Sequence, residues 1–436
     1  MSPSEPVGVV ELLQDLLRFD TTNPPGRERA CIDHLRGLLE GAGIETETYA
    51  ADPERPNLLA RIRGGDAPPL LLQGHVDVVT TAGQTWAHPP FEGRLVDGAV
   101  WGRGAIDMKG GVAMLVHAFL RLHGEGTRPP GDVVLLLLSD EEAGGDLGAR
   151  FLVERHPELF TGIRHALGEF GGFSLAAGGR RFYPIQVAEK QMCWLKTTVR
   201  GTGGHGAMIN RGGTMARLAR LLRDLDRGRL PHHLTPVVEQ TFTTMAEHLP
   251  RAQAMVIRGL LKPRLADASL RVLGERGLLF EPMLRNTVSA TVVRGGDKVN
   301  VVPAEIGLEL DGRSLPGYGP EELIGELREL IGDDVELELI RHDPGPAQPD
   351  MSLFDTLAGI LRELDPDGIP LPLLQVGVTD GRFFARLGIQ TYGFLPMRLP
   401  ESLAFTKLIH AADERIPVDA LEFGAEAVYR ALARFA

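Results

Sequence analysis

Two short apolar runs, each followed directly by a polar motif, constrain the fold of this chain more than any other feature. The runs cover residues 69–72 and 133–138, and their length and continuity are typical of strands buried on both faces. Between them, residues 112–120 have a helical apolar pattern. The order strand, long loop, helix, strand predicts an α/β unit. In such sheets, ligands bind outside the carboxyl ends of the strands.

The polar residues after these runs are of the types that bind metal ions. They are His75 and Asp77 after the first run, Asp107 in a glycine-rich loop, and Glu141 and Glu142 after the second run. Imidazole and carboxylate groups suit zinc, and one carboxylate can bridge two ions about 3.5–4 Å apart. Asp77 can hold the second ring N–H of His75. Because the two glutamates are adjacent, one can bind metal while the other accepts a proton.

The three segments resemble those of the dinuclear-zinc metallopeptidase and deacylase family. This family includes glutamate carboxypeptidase, aminoacylase, acetylornithine deacetylase and succinyl-diaminopimelate desuccinylase. Its members have a His-x-Asp strand end, a Gly-Arg-Gly-x-x-Asp-x-Lys-Gly loop and a Glu-Glu-x-Gly-Gly turn, and residues 75–77, 102–110 and 141–145 match all three. The chain departs from the pattern after Val79, where Thr80 stands in place of the proline of many relatives.

The resemblance implies a role for each residue of the site. It predicts Glu141 as the general base and two zinc ions as cofactors, with cobalt or manganese as alternatives. It also implies a cis peptide bond directly after the bridging aspartate. The implied metal ligands are His75, Asp107 as the bridging carboxylate, Glu142, Glu169 after the next core strand, and His410 in the closing motif at 409–414.

Length, charge and cysteine content set outer limits. At 436 residues, two domains are the natural expectation. A net charge of −12 without basic clusters argues against nucleic acid as a partner. The two cysteines, Cys31 and Cys193, form no disulfide framework. Because no apolar leader or membrane-length apolar run is evident, we expect a cytoplasmic protein that does not contact membranes.

A second domain is predicted within the catalytic one. The apolar patterns between 191 and 343 follow the order β-α-β-β-α-β of an α+β ferredoxin-like unit, with a helical insertion at about 227–284. The insertion is expected to elaborate this unit. The predicted catalytic domain then has two parts, 1–190 and 344–436, forming a mixed sheet with helices on both faces. The family resemblance implies that the inserted unit is a lid that pairs two subunits into a homodimer.

Four residues are predicted to contact the substrate. His205 lies on a glycine-rich turn, and the resemblance implies that it reaches the active site of the partner subunit and stabilises an oxyanion there. Asn300 and Arg313 are expected to hold a carboxylate together. Thr379 lies in a turn that either binds a carboxylate at a helix start or simply caps that helix.

These features predict hydrolysis of an amide bond in a small peptide or N-acyl amino acid with a free carboxylate. The expected mechanism uses a water activated by two zinc ions, with Glu141 as general base. Two alternatives stay open: a deacylase or carbamoyl amidohydrolase of the same family in place of a peptidase, and a non-catalytic metal-binding scaffold. The pocket walls that would decide between peptidase and deacylase cannot be recognised in the sequence.

Overall fold

The computed structural model describes residues 7–332 and 335–436. The first six residues of the predicted catalytic domain therefore lie outside the described part. The helices, in chain order, are α1 Val9–Leu17, α2 Arg29–Gly41, α3 Lys109–Gly124, α4 Ala149–Arg155, α5 Thr214–Arg227, α6 Pro236–His248, α7 Arg251–Leu260, α8 Pro263–Leu273, α9 Glu275–Phe280, α10 Pro320–Ile331, α11 Phe354–Leu364, α12 Gly381–Ala385 and α13 Val418–Arg434. Short 3₁₀ helices cover Glu141–Ala143, Pro157–Phe160, Glu281–Met283 and Phe405–Lys407.

The strands are likewise numbered in chain order. They are β1 Thr46–Tyr49, β2 Asn57–Ile62, β3 Ala67–His75, β4 Arg94–Val96, β5 Ala99–Trp101, β6 Gly131–Leu138, β7 His165–Gly168, β8 Leu175–Ala177, β9 Arg180–Glu189, β10 Gln191–Arg200, β11 Gly204–His205, β12 Thr287–Arg294, β13 Val301–Val302, β14 Glu305–Ser314, β15 Leu337–Asp343, β16 Gly368–Gln375, β17 Gln390–Gly393 and β18 Arg415–Pro417.

The two apolar runs form neighbouring strands of a large mixed sheet. Its order is β1-β2-β6-β3-β7-β17-β9-β16, with β8 paired to β9. Strands β6, β3 and β7 are adjacent and parallel, whereas β2 runs antiparallel to β6. Because β3, β6 and β7 point the same way, their carboxyl ends meet at one edge of the sheet.

Helices cover both faces of this sheet, as predicted. Alternate residues of β6 enter two different cores: Val133, Leu135 and Leu137 pack with α1, α3 and α13, whereas Val134 and Leu136 pack with α4 and α12. Strands that are buried on both faces have continuous apolar sequences, and the runs at 69–72 and 133–138 therefore lack polar alternation. The predicted α/β class is confirmed.

A separate four-stranded antiparallel sheet has the order β12-β14-β10-β15. Helices α5 and α10 pack on one face, and their leucines join Cys193 and Leu195 in a core of their own. This is the ferredoxin-like arrangement expected for β-α-β-β-α-β, and we call this unit the lid unit. The ribbon of β11 and β13 was not predicted, because strands of two residues are too short to show an alternating pattern in the sequence.

The predicted insertion is helical, but its packing corrects the expectation that it elaborates the lid. Helix α6 lies against β16 and β9 of the large sheet, and Phe242 is fully buried in the main core. The hydroxyl of Thr241 donates to the carbonyl of Pro372 in β16, at 2.7 Å. Strand β16 is an edge of the sheet, and a covering helix protects an edge from pairing with other chains. Helix α6 thus covers this edge of the catalytic sheet.

The domain boundaries at 190/191 and 343/344 stay a prediction; in the structure β10 begins at Gln191 and β15 ends at Asp343. Both cysteines are buried. Within residues 7–332 and 335–436, no helix combines the length and hydrophobicity needed to cross a membrane.

Candidate metal centre

Three parallel strands deliver the candidate ligands to one edge of the sheet. His75 is the last residue of β3, Glu141 and Glu142 begin the 3₁₀ turn after β6, and Glu169 directly follows β7. Asp107 lies in the loop before α3, and the peptide bond between it and Met108 is cis, as predicted. The strand directions therefore explain why residues so far apart in the sequence meet.

The first group of possible ligands consists of His75, Asp107 and Glu169. Nε2 of His75 lies 3.3 Å from Oδ1 of Asp107 and 3.5 Å from Oε2 of Glu169. All three side chains are largely buried. One imidazole nitrogen and two carboxylate oxygens thus converge on one position.

The second group consists of Asp107, Glu142 and His410. Nε2 of His410 lies 3.1 Å from Oδ2 of Asp107 and 3.3 Å from Oε1 of Glu142. Asp107 therefore turns one oxygen towards each group. This is the arrangement expected of a carboxylate shared by two cations.

The donor atoms fit a pair of divalent cations. Within the described residues, the buried Nε2 of His75 and Oε1 of Glu142 make no hydrogen bond. Burial raises the pKa of Glu142 to about 7. A hydrogen bond to Asp107 and the nearby charge of Glu142 raise the pKa of His410 to about 10. So many carboxylates in a buried space need positive charge, which bound cations would supply. Imidazole and carboxylate donors are suited to divalent metal ions.

Glu141 belongs to neither ligand group. Burial and the neighbouring charge of Glu169 raise the pKa of its carboxyl well above the usual range. Its Oε1 lies 3.8 Å from Nη1 of Arg382, a buried arginine that also donates to the carbonyls of Thr379 and Gly144. A carboxylate next to the ligands, but outside both groups, is free to exchange a proton.

Asp77 has a different main contact from the predicted one. Its carboxylate lies 3.5 Å from Nδ1 of His75, whereas its backbone carbonyl lies nearer, at 3.0 Å. The carboxylate instead accepts the backbone N–H groups of Glu141 and Glu142, each at 3.1 Å, and the amide of Asn23 at 2.8 Å. Asp77 therefore orients the turn that holds both glutamates as well as the histidine.

The loop that holds Asp107 is fixed by a fully buried glutamate. Glu414 accepts the backbone N–H groups of Gly104, Ile106 and Asp107 at 2.7–3.1 Å, and Nη1 of Arg103 at 2.6 Å. No role was predicted for Arg103 or Glu414, because the burial of a charged side chain cannot be recognised in a single sequence. The only signal in the sequence was that Arg103 lies in the glycine-rich loop at 102–110 and Glu414 in the closing motif at 409–414.

We expect Glu414→Gln to destabilise the protein. Breaking a buried ion pair costs about 3–5 kcal/mol, because the remaining charge stays buried without its counter-charge. The measurement is urea unfolding monitored by circular dichroism. Glu363→Gln, which removes an exposed partner of Arg434, is the control and should leave the midpoint nearly unchanged. Equal midpoints for both variants would contradict a role of Glu414 in holding the loop.

The predicted substrate residues do not form one cluster within a chain. His205 and Asn300 are neighbours on the exposed ribbon of β11 and β13, where Gly206 N–H donates to the Asn300 carbonyl at 2.8 Å. Arg313 is close to the far end of β14 and donates to Asp311. The eight residue steps from Glu305 to Arg313 alone span about 26 Å of strand. Asn300, which precedes β14, and Arg313 therefore lie towards opposite ends of this strand, and their binding of one carboxylate together stays a prediction.

Thr379 already has a carboxylate partner inside the chain. Its N–H and its hydroxyl both donate to Oε2 of Glu189, each at 2.9 Å. Burial raises the pKa of this glutamate to about 7. Thr379 also caps α12 through a bond from the N–H of Gly381 to its hydroxyl. A substrate carboxylate could bind Thr379 only by displacing Glu189.

Comparison with known proteins gives a consistent result. The profile of Peptidase family M20/M25/M40 matches residues 71–434. The chain is 27% identical over 380 residues to a probable carboxypeptidase S-like 2 of Dictyostelium discoideum, covering 80% of this chain and 68% of that protein. It is 28% identical over 378 residues to the N-fatty-acyl-amino acid synthase/hydrolase PM20D1 of Homo sapiens, covering 84% and 74%. Its fold is similar to that of the M20 family metallo-carboxypeptidase Sso-CP2 from Sulfolobus solfataricus, with a TM-score of 0.70, 17% identity, and coverage of 98% and 99%.

The fold, the two ligand groups and these relatives define a metal-dependent peptidase or amidohydrolase. The chain belongs to Peptidase family M20/M25/M40. The predicted family resemblance is therefore confirmed.

Proposed function

We propose that this chain hydrolyses an amide bond next to a free carboxylate, in a small peptide or an N-acyl amino acid. His75, Asp107 and Glu169 would hold one zinc ion, and Asp107, Glu142 and His410 the other. When bound, the ions would supply positive charge that polarises the scissile carbonyl and lowers the pKa of water. Zinc in preference to cobalt or manganese, the homodimer and the cytoplasmic location are predictions too.

Glu141 has the central role in this proposal. It takes the proton from the attacking water and then hands it to the nitrogen of the leaving amine. The position of Glu141 supports this role most strongly, because it is adjacent to Glu142 but outside both ligand groups. Burial also raises the pKa of its carboxyl, which favours uptake of a proton. Arg382, 3.8 Å away, would orient its carboxylate.

The names of the relatives fit both alternatives, a peptidase and a deacylase. One is named a probable carboxypeptidase and another an N-fatty-acyl-amino acid synthase/hydrolase. Both names describe substrates that combine an amide with a free carboxylate. The shared chemistry is therefore proposed for this chain.

The proposed function predicts a requirement for the free carboxylate. Dipeptides and N-acyl amino acids with free C-termini should be hydrolysed by the metal-loaded protein, and their C-terminal amides about 100-fold more slowly, because a charge-assisted hydrogen bond contributes about 1.5–3 kcal/mol. The measurement is kcat/KM for matched acid and amide pairs. Equal values would exclude a carboxylate anchor, and a lack of hydrolysis across the whole panel would contradict the function itself.

The proposed homodimer would use the exposed ribbon of the lid unit. This ribbon, with His205 and Asn300, would serve the site of a second copy, paired about a two-fold axis. His205 would donate to the carbonyl oxygen of the substrate in that site. Arg313 of the second copy, which holds the site, would bind the carboxylate of the substrate.

Mixing two inactive variants tests this arrangement. His205→Ala and Glu141→Ala chains should each have little activity, whereas refolded mixtures should regain up to about one quarter of the wild-type value, since half of the chains are in hybrid dimers and each hybrid has one intact site. Mixing His205→Ala with wild-type chains is the control for subunit exchange. Full activity in a protein that sedimentation shows to be monomeric would contradict the proposal.

A further inference from the structure

One buried carboxylate joins the lid unit to helix α12. Asp343 is the last residue of β15 and is only 3% exposed. Its Oδ1 accepts a hydrogen bond from Nη2 of Arg386 at 2.7 Å. Its Oδ2 accepts one from Nε of Arg341 at 3.1 Å and lies 3.5 Å from Nε of Arg382. Because Arg382 lies in α12 and Arg386 directly follows it, Asp343 fixes the end of the last lid strand to this helix.

Arg382 connects this carboxylate to the turn that contains Glu141. The arginine is 4% exposed, and its Nη1 and Nη2 donate to the carbonyls of Thr379 and Gly144, each at 2.8 Å. Gly144 and Gly145 have positive φ values of 116° and 74°, so this part of the turn consists of residues with unusual backbone freedom. The bond from Arg382 therefore helps to hold the turn in one conformation.

Arg382 approaches Glu141 without a direct hydrogen bond. Its Nη1 lies 3.8 Å from Oε1 of Glu141, beyond the range of about 2.7–3.2 Å for an N–H···O bond. A guanidinium group is planar and rigid, so acceptors that fix one edge also fix the other. Asp343 at the Nε edge and the two backbone carbonyls thus keep positive charge near Glu141 but leave the oxygens of this glutamate available for a water molecule.

The ion pairs of Arg382 explain why the charge of Asp343 matters. In the part of the chain that the structure describes, two carboxylates form ion pairs with this arginine, those of Asp343 and Glu141. Without the charge of Asp343, the guanidinium would be drawn towards Glu141, because attraction between charges is strong where water is excluded. A direct ion pair would occupy the oxygens that Glu141 needs for the attacking water.

We propose that Asp343 is a positioning residue for the general base. It holds Arg382 in the orientation that keeps Glu141 close to positive charge but able to take the proton of the attacking water. This inference rests on the proposed function, in which Glu141 is the base. Because Asp343 ends a lid strand, Glu141 is correctly placed only while β15 is packed against α12. The lid unit therefore contributes to the chemical step as well as to substrate binding.

Asp343→Asn is the first test. In the metal-loaded protein, kcat should fall by about tenfold or more, since displacement of a reacting group by about 1 Å can cost about 100-fold. KM and metal content should change little, because Asp343 is outside both ligand groups. Glu154→Gln is the matched control and should keep the wild-type kcat. It also removes a carboxylate that pairs with Arg386, at 3.3 Å, but one whose side chain is 45% exposed.

A second background separates positioning from a general loss of structure. In the Glu141→Gln protein, Asp343→Asn should lower the remaining kcat by less than about twofold, because the carboxylate that Asp343 positions is already absent. An equal fold loss with and without Glu141 would overturn the inference, since Asp343 would then act on the fold and not through the base.

A measurement on the wild-type protein covers the case in which Asp343→Asn does not fold. In a crystal structure of the metal-loaded protein, Arg382 should keep its contact with Asp343, and a direct hydrogen bond from Arg382 to Glu141 would overturn the inference. Failure of the proposed function gives a different result. An active wild type with an equally active Asp343→Asn protein would remove the inference and leave the function standing, whereas a wild type that hydrolyses no amide would overturn both.

Discussion

Glu141→Gln should lower kcat by about 10³–10⁴-fold while the protein keeps its full metal content. Loss of a general base typically costs about 10²–10⁴-fold, and the upper part of this range applies where the same group also protonates the leaving group. Glutamine has nearly the same shape but accepts no proton at neutral pH. KM should change little, because Glu141 has no part in binding the ground state. The measurements are steady-state kinetics and metal analysis by mass spectrometry on the same preparation.

Glu142→Gln is the matched comparison, since it makes the same chemical change one residue along. Because Glu142 belongs to a ligand group, this variant should lose metal as well as activity. The opposite pattern, with metal lost from the Glu141 variant and retained in the Glu142 variant, would mean that the two roles are exchanged.

Asp107→Asn should remove metal from both positions and reduce kcat/KM by at least about 10³-fold. Asp107 is the residue shared by the two ligand groups, so replacing one of its charged oxygens by an amide weakens both. Metal ions contribute several kcal/mol of charge stabilisation in the transition state, and each 1.36 kcal/mol corresponds to tenfold in rate. Excess zinc should restore only part of the activity.

Asp132→Asn is the control for this change. The side chains of Asp132 and Asp107 are similarly exposed, at 17% and 18%. Asp132, however, is close to the amino end of β6, at the opposite edge of the sheet. It should retain metal and activity. An Asp107→Asn protein with two bound metals would show that this carboxylate is not shared.

The sequence predicted the fold because it follows from local patterns. The continuous apolar runs specify β3 and β6, and parallel strands bring the residues at their carboxyl ends together, so His75 and Glu142 could be placed near one another. Glu169 and His410 were expected there only because of the family resemblance. Helix α10 begins at Pro320 and is followed by Gly332, residue types that are typical of a helix start and of the position after a helix end.

The features that could not be predicted depend on tertiary packing. The position of α6 on β16 follows from the apolar face that Phe242 presents, and the same face would have suited the lid sheet equally well. The bond between Thr379 and Glu189 joins residues 190 positions apart, and no short-range pattern reports it. Arg313 lies near the end of β14 that is remote in sequence from Asn300, and the length of this strand is known only from the structure.

The insertion also changes how the lid unit is joined to the rest of the molecule. Helix α6 packs on the large sheet, and α7, α8 and α9 each pack on the helix before them. The backbone therefore passes between the two units at 228–235 and 284–287 as well as at 190–191 and 343–344. Buried side chains tie these segments together: Nζ of Lys190 donates to the carbonyl of Arg285, and Nη1 of Arg285 donates to the carbonyl of Leu230.

Because several segments joined by hydrogen bonds make this connection, we expect it to be stiff and not to act as a hinge. Bending it would break buried hydrogen bonds, each of which is costly to leave unmade. Movement of the lid unit is then expected to be a small sliding of packed surfaces instead of a wide swing. The stiffness of this connection would therefore help to determine how large a substrate can enter the cleft.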